Sequence, residues 1–105
     1  MACGAGRRMP MRLELSRRAQ NDLDDIRDYS VEHFGLARAI RYLDAVEAGF
    51  RRIVDHPKIG ELRQDLTDTV RSLPVGEHRV YYGVGSDTIL ILRVLHKAMD
   101  AARHF

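Results

Sequence analysis

The sequence lacks the features that hold a small protein together covalently or anchor it in a membrane. Among its 105 residues there is a single cysteine, Cys3, and no tryptophan. One cysteine cannot form an intrachain disulfide, so nothing indicates an oxidising compartment and we expect a cytoplasmic protein. The longest apolar run, from Ile89 to Leu95, is interrupted by Arg93 and is far shorter than the ~20 residues of a membrane span. We therefore expect no membrane association.

A large excess of charge of one sign is also missing. The formal net charge is +2 and the isoelectric point about 9.0, which falls short of the dense basic surface of a strong nucleic-acid binder. We expect direct nucleic-acid binding to be weak or indirect. The histidines show no close pair at metal-ligand spacing, no serine has a nucleophile-elbow pattern, and no Walker lysine follows Gly83-Val84-Gly85. The sequence therefore indicates no metal or organic cofactor.

The length allows one domain with one core. The opening residues MACGAGRRMP lack the apolar segment of about 7–15 residues that a secretory signal requires. We interpret residues 1–10 as a flexible N-terminal extension and residues 11–105 as a single domain. Met9 and Met11 are both plausible alternative starts.

Hydrophobic periodicity predicts one strand followed by two helices. Residues alternate from Met11 to Ser16, which is typical of a strand. Ser16 is a suitable N-cap for a helix that ends near Gly35, and apolar residues then recur at helical spacing until His56-Pro57. Because Gly35 leaves so short a connection, the two helices are expected to form an antiparallel hairpin.

The last third of the chain is rich in β-forming residues. Three runs, Val70 to Val75, His78 to Val84 and Thr88 to His96, are separated by turn-sized breaks. They predict a three-stranded antiparallel meander with its last strand in the interior and with Pro74 at a sheet edge or strand end. Between Lys58 and Thr69 we expect a polar connection with one helical turn around Leu62 to Leu66. The predicted fold is α+β, with both helices packed on one face of a four-stranded sheet.

Four segments carry a resemblance to a known family. They are LSRRAQNDLDDIRDYSVEHFG in the first helix, HPKIG after the second, RSLPVGEHRVYY in the middle strands and ILRVLHKAMD near the end. In this order and spacing the chain, from about Met11 to Phe105, resembles ParE-type toxins of the RelE/ParE family. The resemblance supports the same α+β fold.

The resemblance also implies a function. Family members are usually the toxin of a type II toxin-antitoxin system, act in growth arrest, stress response or plasmid and chromosome maintenance, and are neutralised by an antitoxin encoded beside them. The ParE likeness implies poisoning of DNA gyrase without catalysis and a ParD-like antitoxin in a hetero-oligomer. Two alternatives stay open: a ribosome-dependent mRNA endonuclease of the RelE type, or an inactive relative that only binds its antitoxin.

An mRNA endonuclease needs a general base, a general acid and cations near one phosphate. Its candidate residues lie on or just after the predicted strands: Arg71, Arg79, Tyr82, Arg93, His96 and Lys97, with His78 nearby. On a regular strand Arg93 and His96 point to opposite faces because they are an odd number of positions apart. We expect His96 to brace the strand end and Tyr82 to be a core residue with a bonded hydroxyl. The sequence thus favours a non-enzymatic protein.

Two sets of residues are candidates for binding. An amphipathic antitoxin helix would need an apolar groove, and the wide apolar stripe of the second helix offers Leu36, Ile40, Leu43, Phe50 and Ile53. The mildly cationic C-terminal strand and tail offer target contacts at Arg93, His96, Lys97, Asp100 and Arg103. The acids of the first helix, Asp24, Asp25 and Asp28, are interpreted as a solvated face, and Asp22 as favoured near the helix start.

Overall fold

A computed structural model describes residues 11–105, so the extension predicted for residues 1–10 lies outside the described part of the chain. The order of elements is β1 (Arg12–Leu15), α1 (Arg17–Phe34), α2 (Leu36–Asp55), β2 (Glu61–Leu62), β3 (Arg71–Val75), β4 (His78–Val84), β5 (Thr88–His96) and a final 3-10 helix (Ala101–His104). Within residues 11–105, no helix combines the length and apolar character needed to cross a membrane.

The helical hairpin begins and turns where the sequence predicts. The side chain of Ser16 caps α1 by accepting a hydrogen bond from the Ala19 amide at 3.0 Å. Gly35 ends α1 with a φ of 86°, a left-handed conformation that favours glycine, and α2 starts at the next residue. Gly35 is therefore the only residue between the two helices.

The sheet is mixed, with the strand order β1-β5-β4-β3-β2. The meander β3-β4-β5 is antiparallel as predicted, and β5 is interior because β1 pairs with it in parallel on its other side. Pro74 pairs with Arg79 of β4, but β2 reaches only Arg71 and Ser72. The far side of β3 is therefore unpaired at Pro74, as its missing amide requires.

The prediction of four strands was wrong by one short strand. Glu61 and Leu62 pair antiparallel with Ser72 and Arg71, forming β2 at the edge of the sheet. Leu62 therefore belongs to a strand, and the predicted helical turn follows it, with the Leu66 amide donating to the Arg63 carbonyl at 2.9 Å. A two-residue edge strand has no alternating pattern long enough to detect in the sequence.

The main core lies between the helices and one face of the sheet, as predicted. Its buried side chains come from all the main elements: Ala19 and Ile26 of α1; Val46, Phe50 and Ile53 of α2; and Leu73, Val75, Val80, Tyr82, Ile89, Ile91 and Val94 of the strands. Ser30 is also buried in α1, whereas the neighbouring Tyr29 and the last residue of the helix, Phe34, are exposed.

The opposite face of the sheet, here called the open face, is partly covered by the C-terminal tail. Ala101 packs in a smaller cluster with Val70, Tyr81 and Leu95, and the Phe105 ring meets Tyr81 edge-on at a centroid distance of 5.3 Å. The tail shields its centre, because the apolar side chains of β4 and β5 there need cover.

Candidate functional site

The residues proposed for RNA cleavage do not converge on one site. His96 lies opposite His78 in the β4-β5 register and both line a groove against α1. Arg79 and Lys97 line a hollow on the open face. The sheet therefore separates the two histidines from Arg79, because neighbouring positions of a strand point to opposite faces. Lys97, which follows β5, pairs with Glu77 next to His78 and is not separated from the histidines in this way.

Tyr82 is a core residue, as predicted. Its side chain is fully buried, and its hydroxyl donates to the Pro57 carbonyl at 2.7 Å and accepts from the Gly60 amide at 2.9 Å. Burial raises the pKa of the Tyr82 hydroxyl, the Gly60 hydrogen bond opposing this. The phenol holds the segment after α2 onto the sheet and is inaccessible to a substrate.

Arg71 and Arg93 are engaged in structural contacts. Arg71 donates to the Gly60 carbonyl at 2.8 Å. Arg93 forms a bidentate pair with Asp22 of α1 at 2.8 and 2.9 Å, and a further Arg93 nitrogen donates to the carbonyl of His104 at 2.6 Å. The Asp22 hydrogen bonds raise the pKa of the Arg93 guanidinium. Arg93 was proposed as a catalytic and target contact, but its side chain is only 12% exposed and is already occupied.

His96 braces the end of β5, as predicted. Its Nδ1 accepts a hydrogen bond from the Ala98 amide at 3.0 Å, so the neutral ring carries its proton on Nε2. A metal ion at Nε2 would need that proton removed. Within residues 11–105, no three or more His, Cys, Asp or Glu side chains are grouped so that they could hold a metal ion.

His78 belongs to a partly buried polar cluster that the sequence did not indicate. Its Nδ1 lies 2.6 Å from the Tyr42 hydroxyl, which also accepts from the Glu77 amide at 2.9 Å. Burial and the neighbouring His96 lower the pKa of His78, whereas Glu77 and Asp22 oppose the shift. This cluster joins α2 to the β3-β4 turn.

The His78 cluster predicts a pH dependence of stability. Because the folded state holds the His78 pKa below its ordinary value of 6.5, the unfolded chain takes up the proton first as the pH falls. The stabilisation is complete above pH ~6.5 and is lost as the pH falls through the folded pKa. Thermal unfolding between pH 8 and pH 5 is expected to show a smaller fall in midpoint for His78→Gln than for the wild type. Equal falls in the thermal midpoint for the variant and the wild type would contradict the contribution of His78 to the pH dependence.

Two apolar grooves flank α1. The first, the α1 groove, has a volume of about 490 Å³ and runs between α1 and strands β4 and β5; its lining residues include Ile26, Tyr29, Val94, His96 and Met99. The second, the β1 groove, has a volume of about 340 Å³ and lies between β1 and the helical hairpin; its apolar lining residues are Leu13, Leu15, Leu23, Leu43, Val46 and Phe50.

The antitoxin-binding candidates of α2 divide into three environments. Leu36 and Ile40 are 64% and 51% exposed at the start of the helix. Leu43 is partly buried and lines the β1 groove, where Phe50, only 5% exposed, forms part of the floor. Ile53 is fully buried in the core, so the structure rules it out as a contact. Helical periodicity alone cannot distinguish these positions, since all lie near one face.

Exposed apolar side chains are concentrated where the two helices meet. We call this region the hairpin tip; its large exposed side chains are Tyr29, Val31, Phe34, Leu36 and Ile40. The rings of Tyr29 and His33 stack at 3.9 Å, and Arg38 lies over the Phe34 ring at 5.2 Å. Exposed apolar side chains concentrated in one region are typical of contact surfaces.

The other target-binding candidates lie at the end of β5 or beyond it and are exposed: His96, Lys97, Asp100 and Arg103. Lys97 pairs with Glu77 at 2.9 Å, and the Asp100 side chain caps the last 3-10 helix by accepting from Ala102 at 3.2 Å. Both contacts are at the surface, where ion pairs contribute little to stability. These side chains therefore remain accessible to a partner.

Sequence reasoning missed Asp22, Tyr42 and Arg63. Asp22 also accepts a hydrogen bond from the Val94 amide at 2.9 Å. Its carboxylate thus provides an acceptor for a backbone amide of β5 at a position where β1 no longer pairs with that strand. Arg63 pairs with Asp65 at 2.8 Å and lies over the Tyr81 ring at 5.5 Å. Because the partners of Asp22 and Tyr42 are more than 30 positions away, no local pattern could have revealed them.

Comparison with known proteins gives one consistent family. The model of the ParE toxin of the type II toxin-antitoxin system parDE matches residues 13–101. Toxin ParE1 of Caulobacter vibrioides is 40% identical over 90 residues, covering 86% of this chain and 93% of that protein. Toxin ParE1 of Mycobacterium tuberculosis is 34% identical over 97 residues, covering 91% and 99%.

Solved structures of toxin-antitoxin systems share the fold of this chain. A chain of the chromosomal ParDE toxin-antitoxin system from P. aeruginosa superposes with a TM-score of 0.71 at 25% identity, covering 82% of this chain and 95% of that one. A chain of the RelBE2 toxin-antitoxin complex from Mycobacterium tuberculosis gives a TM-score of 0.59 at 21% identity, covering 85% and 100%. The second likeness concerns the fold alone.

Proposed function

Since the chain belongs to the ParE family and is a toxin of the type II toxin-antitoxin class, we propose that it arrests growth by binding DNA gyrase without catalysis. We further propose that a ParD-like antitoxin neutralises it. The gyrase target is what the ParE resemblance implies. The observation that supports the non-catalytic part is the separation of His96 from Arg79 by the sheet.

The candidate acid-base groups support binding over RNA cleavage in a second way. Tyr82 is buried, and Arg71 and Arg93 are bonded to groups of the protein itself. General acid-base catalysis requires groups within hydrogen-bond reach of the same reacting atoms. The end of β5 and the tail, with His96, Lys97 and Arg103 exposed, instead offer a surface for a large target.

A gyrase assay tests this proposal. Purified toxin added to gyrase and supercoiled plasmid is expected to trap cleaved DNA or block supercoiling. Charge reversal in Lys97→Glu/Arg103→Glu should weaken the effect about tenfold or more, as is typical for loss of contacts at a binding surface. Arg17→Glu is the control, because Arg17 is exposed on α1. An inert but folded wild-type toxin would contradict the gyrase proposal, and mRNA cleavage abolished by His96→Ala would favour the endonuclease instead.

The antitoxin is proposed to cover the hairpin tip and the β1 groove. An amphipathic helix can place apolar anchors on Leu36, Ile40 and Leu43, and Phe50 forms the groove floor. Among the described strands β1 pairs only with β5, so its outer edge can also accept an extended segment of the partner. The Arg38 and Arg41 side chains at the start of α2 favour an acidic segment there.

This surface yields a prediction on affinity. Leu36→Ser and Ile40→Ser remove exposed apolar side chains, so each should change stability by no more than about 0.5 kcal/mol. Each is expected to weaken binding of the antitoxin encoded beside the toxin by about tenfold, as at other interface anchors. The matched control is Ile59→Ser, because Ile59 is 42% exposed but borders a different concavity, next to Val84.

Isothermal titration of each variant with the antitoxin measures the affinity, and growth of cells that co-express the pair provides a second readout. Unchanged antitoxin affinity in both Leu36→Ser and Ile40→Ser would contradict the proposal that the antitoxin binds the hairpin tip. Ile53→Ala is unsuitable for this test because Ile53 is fully buried and its loss would impair folding.

A further inference from the structure

The two edges of the sheet differ in how well they resist pairing with a further strand. At one edge β2 has only two residues, and β3 beside it carries Pro74, which has no amide to donate. Strand β1, at the other edge, contains no proline and keeps one register with β5 along its whole length. Its side chains on the helix side, Leu13 and Leu15, are apolar. The β1 edge therefore lacks the usual protection against a pairing strand.

The outward backbone groups of β1 belong to its leucines. The amides of Arg12 and Ser16 donate to carbonyl groups in and just before β5 at 2.8 and 2.9 Å. Because the backbone groups of successive residues in a strand point to opposite sides, Leu13 and Leu15 direct their N–H and C=O groups away from β5. Among residues 11–105 no strand pairs with this outer edge.

The charged side chains of β1 complement themselves. Arg12 and Glu14 lie on the open face with nitrogen and oxygen 3.8 Å apart, and both side chains are more than half exposed. If two copies of β1 pair antiparallel about a twofold axis at Leu13, Arg12 of each copy lies opposite Glu14 of the other. An axis at Arg12 or at Glu14 would place like charges opposite each other, which is unfavourable. Charge therefore selects the axis at Leu13.

The backbone and the apolar side chains favour the same register. With the axis at Leu13, the outward N–H and C=O groups of the two Leu13 residues face each other and can exchange two hydrogen bonds. Leu15 of each copy lies opposite Met11 of the other in the same way. On the helix side the two Leu13 side chains meet between the two β1 grooves, which covers a residue that is 37% exposed in the single chain.

We propose that the free toxin forms a symmetric homodimer by antiparallel pairing of two β1 strands, which joins two five-stranded sheets into one. A second copy is the occupant of this edge because a twofold interface requires a surface that complements itself, and Arg12 and Glu14 provide one. The dimer does not depend on gyrase or on the antitoxin. Its one link to the proposed function is that an antitoxin covering the β1 edge would compete with it.

The molar mass of the full-length toxin across a concentration series tests the proposal. In sedimentation velocity the wild type is expected to approach twice the mass of the single chain, 12.0 kDa, as the concentration rises. Glu14→Arg places an arginine opposite Arg12 and should raise the dimer dissociation constant about tenfold or more. The matched control is Glu61→Arg, the same change of charge at an exposed position of the other edge strand, which should dimerise like the wild type.

A charge exchange separates cross-strand pairing from any effect on folding. Arg12→Glu alone should also weaken the dimer. An equimolar mixture of Arg12→Glu and Glu14→Arg is expected to form a heterodimer, because every charged pair across the axis then joins opposite signs. The double variant Arg12→Glu/Glu14→Arg should regain the homodimer. Since both positions are exposed, thermal midpoints measured at low concentration should stay close to that of the wild type.

Hydrogen exchange identifies the contact directly. The amides of Leu13 and Leu15 should become protected as the wild-type concentration rises and lose this protection in Glu14→Arg. A wild type that stays monomeric at millimolar concentration would overturn the proposal, as would a mixture of the two single variants that forms no heterodimer. Dissociation by Glu61→Arg, or by Leu36→Ser at the hairpin tip with Glu14→Arg unaffected, would show that another surface makes the dimer and would also overturn it.

Discussion

Asp22→Ala is expected to destabilise the fold by about 3 kcal/mol, at the lower end of the range for a buried charge that loses its partner. The carboxylate of Asp22 forms the bidentate pair with Arg93 and accepts from the Val94 amide, with both side chains 12% exposed. Its removal leaves the Val94 amide and two of the three bonded Arg93 nitrogens without acceptors. The free energy of unfolding in urea measures the effect.

A matched acid on the same helix provides the control. Asp25 is exposed on α1 and forms no ion pair with the described residues, so Asp25→Ala should change stability by no more than about 0.5 kcal/mol. In a double-mutant cycle, Asp22→Ala should be much less damaging in an Arg93→Met background, because no unpaired cation is then left. Additive effects would refute the coupling between the two residues.

Gly60→Ala is expected to destabilise the protein by about 2–3 kcal/mol, as overpacking of a close contact does. A Cβ at residue 60 would lie 2.7 Å from the Tyr82 hydroxyl and 2.8 Å from the Ser72 carbonyl oxygen. The backbone of β3 cannot move away without disturbing the sheet. The change should also break the hydrogen bonds of the Tyr82 hydroxyl to Gly60 and Pro57, which hold the end of α2 to the sheet.

Gly83→Ala is the control for Gly60→Ala. A Cβ at residue 83 has no neighbouring atom within 4 Å, so alanine there should be neutral or stabilise the strand by up to about 1 kcal/mol. Tyr82→Phe separates the hydrogen bonds from the steric effect and should destabilise by about 1–3 kcal/mol. If thermal unfolding showed equal midpoints for Gly60→Ala and Gly83→Ala, the close packing at Gly60 would be disproved.

The Asp22 prediction also bears on the proposed function. Asp22 and Arg93 fix α1 against β5, and a further Arg93 nitrogen binds the His104 carbonyl of the tail. The tail carries the exposed Arg103, and its Asp100 and Ala101 line the hollow on the open face that Arg79 and Lys97 also line. A variant that breaks the Asp22 pair should therefore also weaken target binding, even though neither Asp22 nor Arg93 is exposed enough to contact a partner.

Much of the fold is predictable because its elements have clear local signals. The capping serine at residue 16, the single glycine between the helices and the two-residue break at Gly76-Glu77 each match the observed element bounds. Strands β4 and β5 were predicted at their observed ends, His78–Val84 and Thr88–His96. Strand β2 was missed because two residues show no period, and only pairing with β3 defines it.

The candidate site was less predictable for a related reason. The odd spacing of Arg93 and His96 correctly separated their faces, and the burial of Tyr82 followed from its alternation with Val80. The sequence did not reveal that Arg93 is paired with Asp22, or that Arg79 forms no ion pair within residues 11–105, since this depends on which distant carboxylate lies beside each guanidinium. For the same reason it could not distinguish exposed Ile40 from buried Ile53 on the apolar stripe of α2.

By itself the sequence determined the order and type of the elements, the antiparallel meander and helical hairpin, and the likeness to a toxin family, because hydrophobic period, caps and turns act over a few neighbouring residues. Tertiary structure decided which side chains remain available. It paired β1 with β5 in parallel, placed Asp22 on Arg93, folded the tail onto the open face and left Arg79 without a carboxylate. These outcomes depend on contacts between residues distant in sequence, whose energies no local pattern encodes.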